Sequence, residues 1–228
     1  MKIYGHPWSI NTRKTLLTLA EKGHEAELVL VMVPKGEHKA LAHTARHPFG
    51  KVPVLDDNGF VLYETRAINR YLDRKLGGAP LTPNSEQGSA RVDQWTNIAD
   101  AYFVPFAQPL IVETLFRRYL GGEQNQAAIG AGREGMLPAL DAADQWLASN
   151  TFFAGSEFSL ADVHWMPYFE YMIRIGEGDG IVNRKNLGGW WNRVSERSTW
   201  QRVGRTGPQP YEKGMTADVI EKQYRGIS

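Results

Sequence analysis

Residues 51–67 of this 228-residue chain read Lys-Val-Pro-Val-Leu-Asp-Asp-Asn-Gly-Phe-Val-Leu-Tyr-Glu-Thr-Arg-Ala, and this stretch decides the fold. Val52-Pro53-Val54-Leu55 and Phe60-Val61-Leu62-Tyr63 are strand-prone runs around Asp56-Asp57-Asn58-Gly59, a hairpin signal with glycine where a positive φ is wanted. Glu64–Leu76 follows as a helix. Working back towards the N-terminus, Ala26–Met32 is a strand, and Pro34-Lys35-Gly36 turns the chain into a short helix over Glu37–Arg46, ahead of Pro48-Phe49-Gly50. Before that, Lys2–Tyr4 starts a strand that Gly5 and Pro7 break. Leu16, Leu19 and Ala20 then recur at helical spacing until Gly23 stops them. The order is βαβ, then α, then ββα.

Working forward, Gly77-Gly78-Ala79-Pro80-Leu81-Thr82-Pro83 is a linker by composition. Beyond it strand signals largely vanish. Glu86–Tyr119, Gln124–Ser149 and Ser159–Ile175 carry helical spacing, with Met136, Leu137, Leu140, Ala143, Trp146 and Leu147 as one apolar stripe. A shorter helix is predicted near Asn186–Arg197. Ser159-Leu160-Ala161-Asp162 after Phe158 is a capping-box pattern, a folding signal without chemistry of its own. The expectation is an α/β domain over 1–78, an all-helical domain over 84–206 and a tail over 207–228.

Composition removes several function classes. Lys+Arg number 26 against 25 Asp+Glu, a net charge of +1, without the basic excess of a nucleic-acid binder. Cysteine is absent, which removes disulfides, thiolate metal sites, CxxC redox centres and any protein-thiol nucleophile. The six histidines show no metal-ligand spacing. No apolar run approaches the roughly 20 residues of a membrane span, and Met-Lys-Ile-Tyr-Gly-His-Pro at the start lacks the apolar core of a signal peptide. A cytoplasmic protein with no metal, membrane or nucleic-acid partner is expected.

Four stretches, in this order and on these elements, resemble the soluble glutathione transferase family: Tyr4-Gly5-His6-Pro7-Trp8-Ser9, Lys35-Gly36-Glu37-His38-Lys39, His47-Pro48-Phe49-Gly50-Lys51-Val52-Pro53 and Tyr63-Glu64-Thr65-Arg66-Ala67-Ile68. They are most similar to its serine-type members, the phi class and bacterial relatives, and the resemblance runs to about residue 205. It implies a thioredoxin-like first domain that binds glutathione and a helical domain that supplies a pocket for a hydrophobic electrophile. It also implies a homodimer, with Arg66, Arg70 and Arg74 near the partner. The activity implied is transfer of the glutathione thiolate to an electrophile. A glutathione-dependent peroxidase and a non-enzymatic glutathione- or ligand-binding member are the alternatives. Without cysteine, the thiol-transferase and dehydroascorbate-reductase branches are disfavoured.

The same resemblance, with the chemistry of each side chain, nominates the site. Val52 is expected before a cis-Pro53, offering backbone N–H and C=O to a cysteinyl main chain. Thr65, opening a helix, has unfilled N–H donors and a hydroxyl for the γ-glutamyl carboxylate, and Glu64 suits the α-ammonium. His38, Lys39 and Lys51 suit the glycyl carboxylate by charge. Ser9 is the expected thiolate donor and Asn11 its possible co-donor, while Tyr4 sits too deep in its strand and is expected to pack. A free thiol of pKa about 8.5 is only a few per cent ionised at neutral pH, so a hydroxyl donor at the positive end of a helix answers a real need. The simpler role for Ser9 or Asn11 is a helix N-cap. Trp8, Tyr102, Phe106 and Trp165 are candidate electrophile-pocket residues, although aromatic stripes more often form core.

Overall fold

In a computed structural model, which describes residues 1–205 and 209–226, the expected hairpin is the organising element of the first unit. β3 (Val54–Asp57) and β4 (Phe60–Tyr63) pair antiparallel from Asp57↔Phe60 to Val54↔Tyr63. Asn58 and Gly59 both have positive φ, 55° and 95°, the combination that twists a two-residue turn with its strands. The Gly59 N–H donates to Asp56 Oδ1 at 2.8 Å. β1 (Lys2–Gly5) pairs antiparallel with β3 and parallel with β2 (Glu27–Leu30), giving the sheet order β2-β1-β3-β4.

Between β1 and β2 runs α1 (Ile10–Glu21), closed by Gly23 and His24 N–H groups bonding back to Ala20 and Leu19 carbonyls. The helix expected over Glu37–Arg46 is instead divided. A one-turn 3-10 helix covers Glu37–Lys39, extended Ala40 interrupts it, and α2 (Leu41–Thr44) is a single turn. α3 (Thr65–Lys75) closes the unit. Ile3, Leu19, Leu55, Ile68 and Leu72 form the core between the sheet and the α1/α3 layer. A buried ion pair at the edge of that layer, Lys22 Nζ to Asp73 Oδ1 at 3.1 Å, also ties Lys22 to the Ala79 carbonyl at 2.9 Å.

The second unit, Pro80–Gly204, is helical. Ser85 caps α4 (Glu86–Ile98), which continues through a π-helical stretch (Ala99–Phe103) into α5 (Val104–Ile111), a second π stretch (Val112–Phe116) and α6 (Arg117–Leu120). The long helix expected over Glu86–Tyr119 is therefore one helical run with two wide turns. Pro105 lacks an N–H and its ring crowds the carbonyl four residues back, which places the first wide turn directly before it. The helix expected over Gln124–Ser149 breaks ahead of Pro138 into α7 (Gln126–Gly135) and α8 (Leu137–Leu147). α9 (Leu160–Arg174), α10 (Asp179–Val182), α11 (Lys185–Ser195) and α12 (Ser198–Arg205) follow.

α9 is buried continuously from Leu160 to Met172 and is the axis of an aromatic core. Trp165 stacks on Phe103 and on Phe153, with ring centroids 4.8 and 5.1 Å away, and Phe169 lies edge-on to Trp190. The capping box at its start is complete, with Ser159 and Asp162 bonded reciprocally.

The expected tail behaves differently. Gly207 and Pro208, its first residues, lie outside the described residues. The remainder groups with Met1–Ala79 and not with the helical unit, and it contains a helix the sequence did not suggest, α13 (Ala217–Arg225), packed on β2. Among the described residues no helix is long and apolar enough to cross a membrane.

Candidate active site

Ser9 sits where β1 ends and α1 begins, half-buried, in extended conformation (φ −70°, ψ 123°). Its side-chain oxygen accepts the Thr12 N–H at 3.3 Å, so the cap expected from the sequence is present. In that bond the hydroxyl is the acceptor, and its own proton is not consumed. Capping the helix and donating to a thiolate therefore use different parts of one group. Asn11 lies half-buried in the first turn of the same helix. Tyr4 is half-buried in β1 with the Arg46 guanidinium 4.3 Å over its ring, a packing position.

His6 holds the turn that carries Ser9. Its N–H donates to Thr12 Oγ1 at 3.4 Å, its Nδ1 accepts the Trp8 N–H at 3.2 Å, and its carbonyl accepts the Ser9 N–H at 2.9 Å. Because Nδ1 is the acceptor, the neutral ring carries its proton on Nε2. Burial pushes its pKa down to about 4 against a weaker upward pull from Glu37, so it is neutral at physiological pH. Composition and motif spacing did not single out His6 for this role, because its partners are set by the turn.

The Val52–Pro53 bond is cis, as the resemblance implied, and Pro53 is buried ahead of β3. The loop before it is fixed by His43, whose Nε2 lies 2.7 Å from the Lys51 carbonyl, another contact that sequence spacing does not reveal. At the other end of the hairpin, Glu64 precedes α3 with φ 71°. Glu64, the residue that precedes α3, makes no side-chain capping hydrogen bond to it. A helix N-terminus suits an anion, and here Thr65 is half-buried at the first position with Glu64 exposed beside it. His47 packs its ring on Tyr63 at 4.6 Å and feels Glu64 electrostatically.

His38, Lys39 and Lys51 are brought together. Burial lowers the His38 pKa, and Lys39, His43 and Lys51 lower it further by their positive charge. His38 Nδ1 is buried without a hydrogen-bond partner. Lys39 Nζ donates to the Phe49 carbonyl at 3.2 Å. Gly50 (φ 56°) is required between them, since a Cβ there would sit 2.6 Å from the His38 carbonyl oxygen and 3.1 Å from Lys39 Cδ. This concentration of cations suits a carboxylate.

The aromatic candidates separate. Trp165 is fully buried, stacked on Phe103 and on Phe153, and its Nε1 donates to the Trp95 carbonyl at 3.2 Å, the surroundings of a core residue. Trp8 is also buried, edge-on to His6 at 5.3 Å. Tyr102 is 63% exposed, and Phe106 is half-buried against Gly132 and Gly135. Periodicity cannot distinguish these environments. Among the described residues, no group of three or more His, Asp or Glu side chains is placed to hold a metal ion.

Comparison with known proteins agrees with this geometry across both units. The family described as "Glutathione S-transferase, N-terminal domain" matches residues 1–74, and "Glutathione S-transferase, C-terminal domain" matches residues 103–198. Glutathione S-transferase F11 of Arabidopsis thaliana is 34% identical over 206 residues, covering 89% of this chain and 96% of its own length. The crystal structure of glutathione transferase F2 from Populus trichocarpa superposes with a TM-score of 0.84 at 32% identity, over 89% of this chain and 96% of that one. Glutathione S-transferase I from maize, solved in complex with an atrazine glutathione conjugate, gives a TM-score of 0.81 at 26% identity, over 90% and 99%.

Proposed function

This chain belongs to the glutathione S-transferase family, on its phi-like branch, and is a glutathione transferase with glutathione as co-substrate; on that premise we propose that Ser9 is the group that activates the thiol. The observation that carries this reading is a half-buried serine at the N-terminus of α1 whose hydroxyl proton has no partner among the described residues. A hydroxyl donor and the positive helix end both favour thiolate over thiol, and Asn11 in the same turn is a second donor. Lowering the thiol pKa by about two units requires about 2.7 kcal/mol of such preference. The thiolate sulfur then forms a bond to an electrophilic carbon, whose leaving group or π bond takes up the displaced electron pair.

The remaining contacts distribute along the tripeptide. Thr65 at the start of α3 takes the γ-glutamyl carboxylate, Glu64 the α-ammonium, and the Val52 backbone ahead of Pro53 the cysteinyl main chain. His38, Lys39 and Lys51 take the glycyl carboxylate. Each is matched by charge or by the donors of a helix N-terminus and an extended backbone. Holding glutathione at this many points orients the sulfur before the electrophile arrives. The electrophile is a small hydrophobic molecule, in keeping with the atrazine conjugate bound by the maize relative, and Tyr102 and Phe106 are its candidate contacts. The protein works in the cytoplasm as a homodimer, with the Arg66, Arg70 and Arg74 stripe towards the partner. Sedimentation showing only a monomer at micromolar concentration contradicts that assembly.

Titration of the thiolate absorbance of bound glutathione tests the central assignment. Ser9→Ala raises the bound thiol's pKa by about one unit or more, a difference of about 1.4 kcal/mol, with little change in glutathione affinity. Tyr4→Phe leaves the titration in place. If Asn11→Ala alone moves it, Asn11 is the donor and Ser9 only a cap.

A further inference from the structure

α13 buries Ile220 completely and is capped by Thr216, whose hydroxyl oxygen accepts the Val219 N–H at 3.2 Å. Its charged side chains meet the segment that leads into His38 and Lys39. Lys35 Nζ lies 2.8 Å from Asp218 Oδ1 and 2.5 Å from Glu221 Oε2. Arg225 Nη2 donates to both oxygens of Glu37, at 2.6 and 2.7 Å, while its Nη1 lies 3.5 Å from Glu221. Five charged residues are thereby linked with alternating sign.

Glu37 has a second task. Its Oε2 accepts the Met32 backbone N–H at 2.8 Å, and its own N–H donates to the Met32 carbonyl at 3.2 Å, so it closes the Met32–Glu37 loop on itself. Arg225 clamps the carboxylate that makes this closure. The chain then runs directly through the 3-10 turn Glu37–Lys39, whose carbonyl at His38 is the close neighbour of Gly50. A short 3-10 turn has poor hydrogen-bond geometry and little stability of its own. A single exposed ion pair would add little to it, but a network anchored at two positions of one loop fixes its direction. α13 also lies beyond the residues matched by the C-terminal family, which end at 198.

We propose that Asp218, Glu221 and Arg225 are positioning residues for the glycyl end of glutathione: through Lys35 and Glu37 they hold the His38–Lys39 turn in the arrangement that takes the glycyl carboxylate. This inference rests on the assignment of His38, Lys39 and Lys51 made above.

The experiment compares the full-length protein with the full-length variant Asp218→Asn/Glu221→Gln/Arg225→Gln. Each is titrated calorimetrically with glutathione and with its glycyl monoethyl ester, and kcat is measured at saturating glutathione. The wild-type protein binds the free acid more tightly than the ester. The variant loses about three- to tenfold in affinity for the free acid, as expected for a surface ion-pair network, while its ester affinity and kcat are unchanged. Removing two negative charges and one positive makes the neighbourhood more positive, which by charge alone would strengthen carboxylate binding; weaker binding therefore reports position. Amide exchange over residues 33–39 is faster in the variant. If wild type and variant prefer the free acid equally, or if the variant loses both ligands equally, the positioning role is overturned while the glycyl assignment stands. If the wild-type protein does not distinguish acid from ester, the glycyl assignment itself fails and this inference with it.

Discussion

Ser9 and Ser159 both cap a helix, and the difference between them separates a chemical serine from an architectural one. Three residues after Ser159 stands Asp162, whose carboxylate accepts the Ser159 N–H and hydroxyl at 2.9 Å each. It also accepts the Phe153 N–H at 3.1 Å and Trp190 Nε1 at 2.7 Å. The Ser159 hydroxyl therefore donates and accepts within a sealed site, and α9 opens with its polar groups spent. Three residues after Ser9 stands Thr12, which has no carboxylate to return. Its hydroxyl accepts from His6, the Ser9 N–H turns to the His6 carbonyl, and among the described residues Ser9 Oγ receives only the Thr12 N–H. At α3 the N-cap residue Glu64 makes no side-chain capping bond. The Ser159 cap spends both its donor and its acceptor side on protein partners. Among the described residues the Ser9 cap uses its acceptor side alone, and a ligand group can take its proton.

The largest effect that tests this contrast is at Asp162. Asp162→Ala leaves four buried donors unanswered, and at about 1–3 kcal/mol for each poorly satisfied group, with partial relaxation, the expected loss is about 3–5 kcal/mol. Denaturant unfolding of the variant checks this, and an unchanged midpoint would break the view that the α9 start is sealed by this carboxylate.

His6 provides the next effect, through pH. Its pKa is lowered from the ordinary 6.5 to about 4 by burial, with Glu37 opposing. Between those values the unfolded chain binds the proton and the native chain does not, so stability rises with pH across this window. The contribution is fully present above about pH 6.5 and is lost as pH falls towards 4, up to roughly 3 kcal/mol. His6→Asn, which keeps an acceptor near the Nδ1 position, should flatten the unfolding free energy measured between pH 4 and 6.5. A profile as steep as wild type would assign the acid sensitivity elsewhere.

Thr65→Ala probes the start of α3. Loss of one charge-assisted hydrogen bond to the γ-glutamyl carboxylate costs about 1.5–3 kcal/mol. The contact is remote from sulfur and equal in ground and transition states, so it raises KM for glutathione and leaves kcat nearly unchanged. An unchanged glutathione dissociation constant would remove Thr65 from the site.

How much of this was legible in sequence depended on whether a residue's partners are local. The Asn58-Gly59 turn, the Gly23 stop and both serine caps involve neighbours a few residues away, and their chemistry is written in the spacing. His43 reaching the Lys51 carbonyl, and His47 lying on the Tyr63 ring, depend on tertiary folding, and a search limited to metal-like histidine spacing passes over them. Trp165 could be read as pocket or as core, because an aromatic at helical spacing looks the same whether it faces a cavity or Phe103 and Phe153. α13 was missed for the opposite reason. It follows a Gly- and Pro-rich stretch, buries only Ile220, and meets Lys35 and Glu37 across some 186 and 188 residues of chain, so no apolar stripe announces it.

The smallest effect is the sharpest for the comparison, because it asks one substitution to do different things at two serines. As an N-cap, Ser9→Ala should cost about 1 kcal/mol of stability, measured by denaturant unfolding without glutathione. Ser159→Ala should cost at least as much, since Asp162 also loses a buried donor. On stability alone the two serines are similar. With glutathione bound they part: Ser9→Ala moves the thiol titration by about one unit or more and lowers activity at pH 6.5 about tenfold, with partial recovery at alkaline pH where the thiol ionises unaided. Ser159→Ala, once corrected for the folded fraction, leaves both the titration and the pH profile of activity as in wild type. If Ser9→Ala changes stability but not titration, Ser9 is only a cap, and the activating donors are the backbone N–H groups of α1.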